Sequence, residues 1–197
     1  MTLPEGKDER VTSTEAAAIA LQDNAVLWSA GEISASEVVD AACDALVAGL
    51  DTPALRILAA RTRAEADYDV YDLLAPALEE LGLTFHPAVG EAAQEAVVRA
   101  LARRMLAGDL KPWELTFRIH QRYGHELSLT ERLAELDDEY GILEYGDRTV
   151  DQVDAEVTAE ARRLAGAVAR ATGHGGNHRT RVLLTRAEKR DSPTPAR

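Results

Sequence analysis

Apolar residues recur every three or four positions through most of this chain. Ala18, Leu21, Ala25 and Trp28 share one helix face, and Val38, Ala42, Ala45 and Gly49 share the next. Val97, Leu101 and Met105 form a third stripe, with Glu95 and Arg99 as an i,i+4 pair outside it. Leu133, Leu136 and Tyr140 form a fourth. Val150, Val153, Val157, Leu164 and Val168 follow a heptad-like seam. Trp28, Leu101, Leu133 and Val157 are the expected core anchors. No stretch alternates apolar and polar residues long enough to predict a strand, and Val182-Leu183-Leu184 is the one short candidate.

The punctuation between these stripes is also helical. Thr12 with Glu15, Ser34 with Glu37, Ser128 with Glu131 and Thr149 with Gln152 match the capping box. Thr52-Pro53 and Lys111-Pro112 put proline at a first helical position, where its missing N–H costs nothing. Gly31, Gly49, Gly82, Gly108, Gly124, Gly141 and Gly173 fall where helices should stop. Together these predict helices near 13–30, 35–48, 53–64, 69–81, 91–107, 112–123, 129–140 and 150–171. Pro76 should kink the fourth or mark its true start. The predicted fold class is all-α: a single domain of about seven or eight short helices joined by tight turns. The expected organisation is a disordered N-terminus over 1–11, a helical domain over 12–172 and a flexible basic tail over 173–197, too poor in apolar residues to fold alone.

Ala30-Gly31-Glu32-Ile33 returns as Ala107-Gly108-Asp109-Leu110, 77 residues on, and Glu37-Val38 matches Glu114-Leu115 at the same offset. Six matching positions fit a duplicated helical hairpin. They also fit a common helix-corner turn, which is the reading taken from sequence.

Charge divides the chain. Residues 170–197 carry seven Arg or Lys and two acids, a net of +5, so the first 169 residues carry the other 15 bases and 32 acids, a net of −17. An acidic body repels nucleic acid and attracts basic partners. Lysine occurs three times and arginine nineteen, beside abundant alanine. In this texture the body resembles the uncharacterised Ala-, Arg- and Asp-rich all-helical proteins of high-GC actinobacteria, a resemblance that carries no catalytic motif. No apolar run is long enough for a membrane span. The start, MTLPEGKDER, lacks the apolar region of a secretory signal. One cysteine, Cys43, makes no intramolecular disulfide and no Cys-based zinc cluster. A cytoplasmic location is expected.

Spacing excludes several chemistries. There is no G-x-x-x-x-G-K-[ST], no G-x-G-x-x-G and no G-x-S-x-G. A di-metal carboxylate bundle needs Glu three residues before His. Those places hold Leu83, Phe117, Arg122, Ala171 and Gly175. Asp137-Asp138-Glu139 lacks the third acid of D-D-x-x-D, because Gly141 stands there. His120 and His125, five apart, should diverge on a helix, and His120 is expected to pack beside Trp113 and Phe117. His174 and His178 sit in a Gly-rich segment that binds Ni²⁺ or Zn²⁺ only adventitiously. Acidic neighbours Asp40 and Asp44 dull Cys43. No catalytic residue, metal site or cofactor is therefore expected.

Two features point to docking. Between Glu135 and Glu160 lie ten acids, opposed only by Arg148. From this run Asp137, Asp138, Glu139, Glu144, Asp147, Asp151 and Asp154, with Tyr145, are candidate partner-binding residues. The second feature is Tyr68, Asp69, Tyr71 and Asp72, where each ring supplies contact area and each carboxylate supplies charge. Tyr68 to Asp72 also reads as a helix start capped by Asp. The sequence thus suggests a non-enzymatic acidic helical protein that docks a basic protein partner, of inhibitor, immunity or regulatory adaptor type. A helical enzyme with scattered carboxylates and Tyr or His is the alternative. Weak nucleic-acid association through the tail is the third. The oligomeric state is not written in the sequence.

Overall fold

Thr62 and Glu65 cap each other: the Glu65 carboxylate accepts from the Thr62 N–H at 2.9 Å, and the Thr62 hydroxyl accepts from the Glu65 N–H at 3.4 Å. This box starts a helix at Arg63, six residues before the expected start at 69. Asp69 is therefore not a cap but lies in mid-helix. The structure is a computed structural model that describes residues 8–85 and 90–166, with side chains from residue 13 onward. His86, Val168, Gly173 and the expected tail, with His174, His178 and Val182-Leu183-Leu184, lie outside the described residues.

The described residues form eight α-helices: α1 (Asp8–Ser29), α2 (Ala35–Val47), α3 (Pro53–Ala59), α4 (Arg63–Glu80), α5 (Glu91–Ala107), α6 (Pro112–Tyr123), α7 (Glu131–Gly141) and α8 (Val150–Gly166). A single 3-10 turn, Leu143–Tyr145, precedes α8, and no strand occurs among these residues. The fold is all-α, as the apolar period indicates. No helix is long and apolar enough to cross a membrane.

The boundaries correct several details. Thr12 lies inside α1, which begins at Asp8, rather than at its start. Thr130, not Ser128, precedes α7. Gly141 is the last residue of α7 rather than its stop. Pro76 sits inside α4, where it withholds one N–H from the helical ladder. The boxes at Ser34–Glu37 and Thr149–Gln152 form as expected.

The 77-residue offset extends past its turn to the start of the next helix. Gly31 and Gly108 both have positive φ, at 76° and 95°, which glycine adopts without the penalty a Cβ brings. At the first corner Gly31 N–H donates to Trp28 and Glu32 N–H to Leu27; at the second Gly108 donates to Met105 and Asp109 to Arg104. The next helix then opens on the same device. Glu37 accepts from the Ser34 N–H at 2.9 Å, and Glu114 accepts from the Lys111 N–H at 2.8 Å. Helices α2, α3 and α4 pack on one another, and so do α6, α7 and α8. The described residues thus form two runs of four helices with similar corners, but the first helix of each run packs differently: α1 lies chiefly on α2, whereas α5 lies chiefly on α8.

Helix α1 joins the halves because two of its faces are apolar. Leu21 and Ala25 pack with Val38, Leu55, Leu58 and Leu74 in the first core. Val26 and Leu27 pack with Leu101, Leu115, Leu133 and Val157 in the second. Each of these fully buried leucines contributes roughly 1.5–3 kcal/mol of transfer free energy. Trp28, expected in the core, is only half-buried, because Leu27 takes the inward place at the end of α1. Val150 is exposed at the start of α8, and the buried seam there is Val153, Val157, Ala161 and Leu164.

Candidate functional site

The acidic run from Glu135 to Glu160 folds back on its own cations. Arg148 donates to Glu139 and Glu156, and Arg132 donates to Glu135 at 2.8 Å, to Glu139 at 3.3 Å and to Glu156. Arg132 stands three residues before the run, so counting charge only within the run misses it. These pairs tie α7 to α8. Asp154 accepts from the Tyr140 hydroxyl, and burial followed by that carboxylate pushes the phenol above its ordinary pKa. Tyr140 therefore serves the fold. Five of the eight candidates here stay turned to water: Asp138, Glu144, Tyr145, Asp147 and Asp151. The Glu144 carboxylate, hydrogen-bonded to Tyr145, raises that phenol's pKa.

The candidates on α4 are placed differently. Tyr68 and Tyr71 are 83% and 76% exposed although they lie in the middle of an 18-residue helix. Asp69 is held by Arg61 at 3.1 Å, which turns it away from the outward face. Asp67 and Asp72 are exposed and form no ion pair among the described residues. Spacing of three and four residues puts Asp67, Tyr68, Tyr71 and Asp72 on one face. The inner face of the same helix holds Ala66, Val70, Leu74, Ala77 and Leu78, so the outward face is not needed for the core.

A third group was not legible as a site. His120 and His125 were expected to diverge; instead their rings stand 5.1 Å apart at 72°. Gly124 is the reason. Its backbone, at φ 54° and ψ −136°, ends α6 and folds the chain back, so helical divergence does not apply to His125. His120 Nδ1 lies 2.9 Å from Asp137, whose other oxygen accepts from the buried Thr116 hydroxyl at 3.1 Å. His125 Nδ1 lies 3.1 Å from Glu131, and its Nε2 lies 3.4 Å from Asp138. The hydrogen-bonded Glu131 carboxylate raises the His125 pKa above its ordinary 6.5, and Asp138 adds to the effect. Thr116 bonds the carboxylate rather than the imidazole. The chain Thr116–Asp137–His120 therefore orients a histidine and does not activate a hydroxyl. One ligand atom each from His120, His125 and Asp138 lies within 4.8 Å of the other two. The sequence signal was the glycine between the histidines, followed by an acid pair one helix later.

A shallow groove of about 380 Å³ lies between the start of α5 and the end of α6, lined by Glu91, Gln94, Arg122, Tyr123, Glu126 and Leu127. Its guanidinium is already committed, because Arg122 donates to Glu32 at 2.6 Å and to the Ala30 carbonyl at 2.7 Å. Compared with protein-family models, curated proteins and solved structures, the chain matches none.

Proposed function

We propose that this protein works by docking the outward face of α4 onto a basic surface of another protein. The observation that carries the reading is the pair Tyr68 and Tyr71, both turned to water in mid-helix beside Asp67 and Asp72, which form no ion pair among the described residues. A tyrosine ring brings a large contact area at the cost of ordering few torsions, which is why such rings anchor interfaces. Carboxylates without internal partners cost nothing to redirect toward a partner's Arg or Lys. The excess of acids over the first 169 residues steers a cationic surface toward the body before contact. Enzymes that act on polyanions present such surfaces, and inhibitors of them tend to be acidic. The exposed Glu144, Tyr145, Asp147 and Asp151 in the other half extend the acidic surface.

A photo-crosslinking amino acid placed at position 71 in cells of the source organism tests the proposal. One predominant adduct with a protein of net positive charge is expected, together with its loss when the probe sits at Glu15 on α1. Equal adducts from both positions would contradict it.

A further inference from the structure

We propose that His120, His125 and Asp138 bind a divalent transition cation of the zinc class at the corner between α6 and α7. The proposal is independent of docking through α4. Three kinds of observation converge on it.

The first is placement. The three side chains come from the end of α6, the turn after it and the second half of α7, yet each offers a ligand atom within 4.8 Å of the others. Ligand atoms around a tetrahedral zinc ion, at bond lengths of about 2.0–2.2 Å, stand roughly 3.4 Å apart. His125 Nε2 and Asp138 Oδ2 are already 3.4 Å apart. Asp138 and His125 lie toward solvent, so small χ rotations close the set around a cation and leave an entry path.

The second is the outer support. A metal-binding imidazole usually donates its other ring N–H to a carboxylate, which fixes its orientation and strengthens the donor nitrogen. His125 has such a partner, with Glu131 on Nδ1 and Nε2 turned to Asp138, and Asp137 holds His120 through Nδ1, which also stands 3.8 Å from Asp138. Thr116, fully buried, pins Asp137 in turn.

The third is chemistry. Two neutral imidazoles and one carboxylate suit zinc, cobalt or nickel, whereas magnesium and calcium prefer oxygen alone. Asp137 and Glu131 behind the ligands add negative charge that favours a dication. Three protein ligands leave a coordination position for water.

The test uses the full-length chain, free of any affinity tag, with His174→Gln and His178→Gln to silence the histidines of the Gly-rich segment. Zinc chloride is titrated calorimetrically at neutral pH, and Co²⁺ is titrated by visible absorption to report tetrahedral ligands. One equivalent of each ion is expected to bind. His125→Gln and Asp138→Asn should each weaken binding at least about tenfold, and Asp137→Asn, which only orients His120, by about 10–100-fold. Asp138 and His125 contribute nothing to the core, so a helical circular dichroism spectrum should persist in their variants. No binding to the parent chain would overturn the proposal. So would binding that survives both His125→Gln and Asp138→Asn, because the ion would then sit elsewhere.

Discussion

Arg103 on α5 grips Asp23 on α1 with two parallel bonds, Nε and Nη2 each 2.5 Å from a carboxylate oxygen. Both side chains are largely withdrawn from water, at 26% and 15% exposure. The pair lies where α1 crosses into the second half of the fold. Burial outweighs the guanidinium here, so the Asp23 carboxyl sits above its ordinary pKa of 3.8.

That balance gives unequal outcomes for the two partners. A raised carboxyl pKa contributes stability fully present below the unfolded value and lost as pH rises through the folded one, so ionised Asp23 is a net burden at neutral pH. Asp23→Asn is expected to change stability by less than about 1 kcal/mol. Arg103→Met strands the carboxylate and is expected to cost roughly 2–3 kcal/mol at neutral pH, with the deficit shrinking in acid. Urea unfolding of both variants at neutral and acid pH measures this. Equal losses would show that the bidentate bond outweighs desolvation.

His125 gives a pH dependence of known sign. It faces Glu131, Asp138 and the ring of His120. Its folded pKa is raised, chiefly by the hydrogen bond to Glu131. Its contribution is therefore fully present below the unfolded value of about 6.5 and fades as pH rises through the folded value. Without added metal, the melting temperature of His125→Gln should fall furthest below the parent's at about pH 5.5 and least at about pH 8.5. A difference that grows toward alkaline pH would reverse the sign and contradict the assigned partners.

Much of the fold was legible because helix period, glycine stops and capping boxes agree locally. Leu101, Leu133 and Val157 are buried as their stripes require. What escaped depends on contacts made at a distance. Tyr68 to Asp72 reads as a capped helix start because Asp69 has capping chemistry, but Thr62 and Glu65 close first and Asp69 turns to Arg61. The acidic run looks free because Arg132 lies outside it and reaches back across a helix–helix contact. His120 and His125 look divergent only if the helix continues past Gly124. The matching turns at Gly31 and Gly108 share their backbone geometry, but α1 and α5 pack on different partners, which agrees with reading them as a common corner.

Association kinetics with the partner crosslinked from position 71 test the docking claim most directly. The Debye length falls from about 10 Å at 0.1 M salt to about 3 Å at 1 M, so steering by the acidic body should be largely lost over that range. The expected result has three parts. The parent's on-rate falls at least about tenfold across it. Asp67→Asn with Asp72→Asn lowers the low-salt on-rate and flattens the salt slope. Tyr71→Ala leaves the on-rate nearly unchanged but raises the off-rate about 30-fold, the loss of one interface anchor of about 2 kcal/mol. An on-rate and salt slope unchanged by the aspartate substitutions, with an off-rate unchanged by Tyr71→Ala, would show that α4 meets only water.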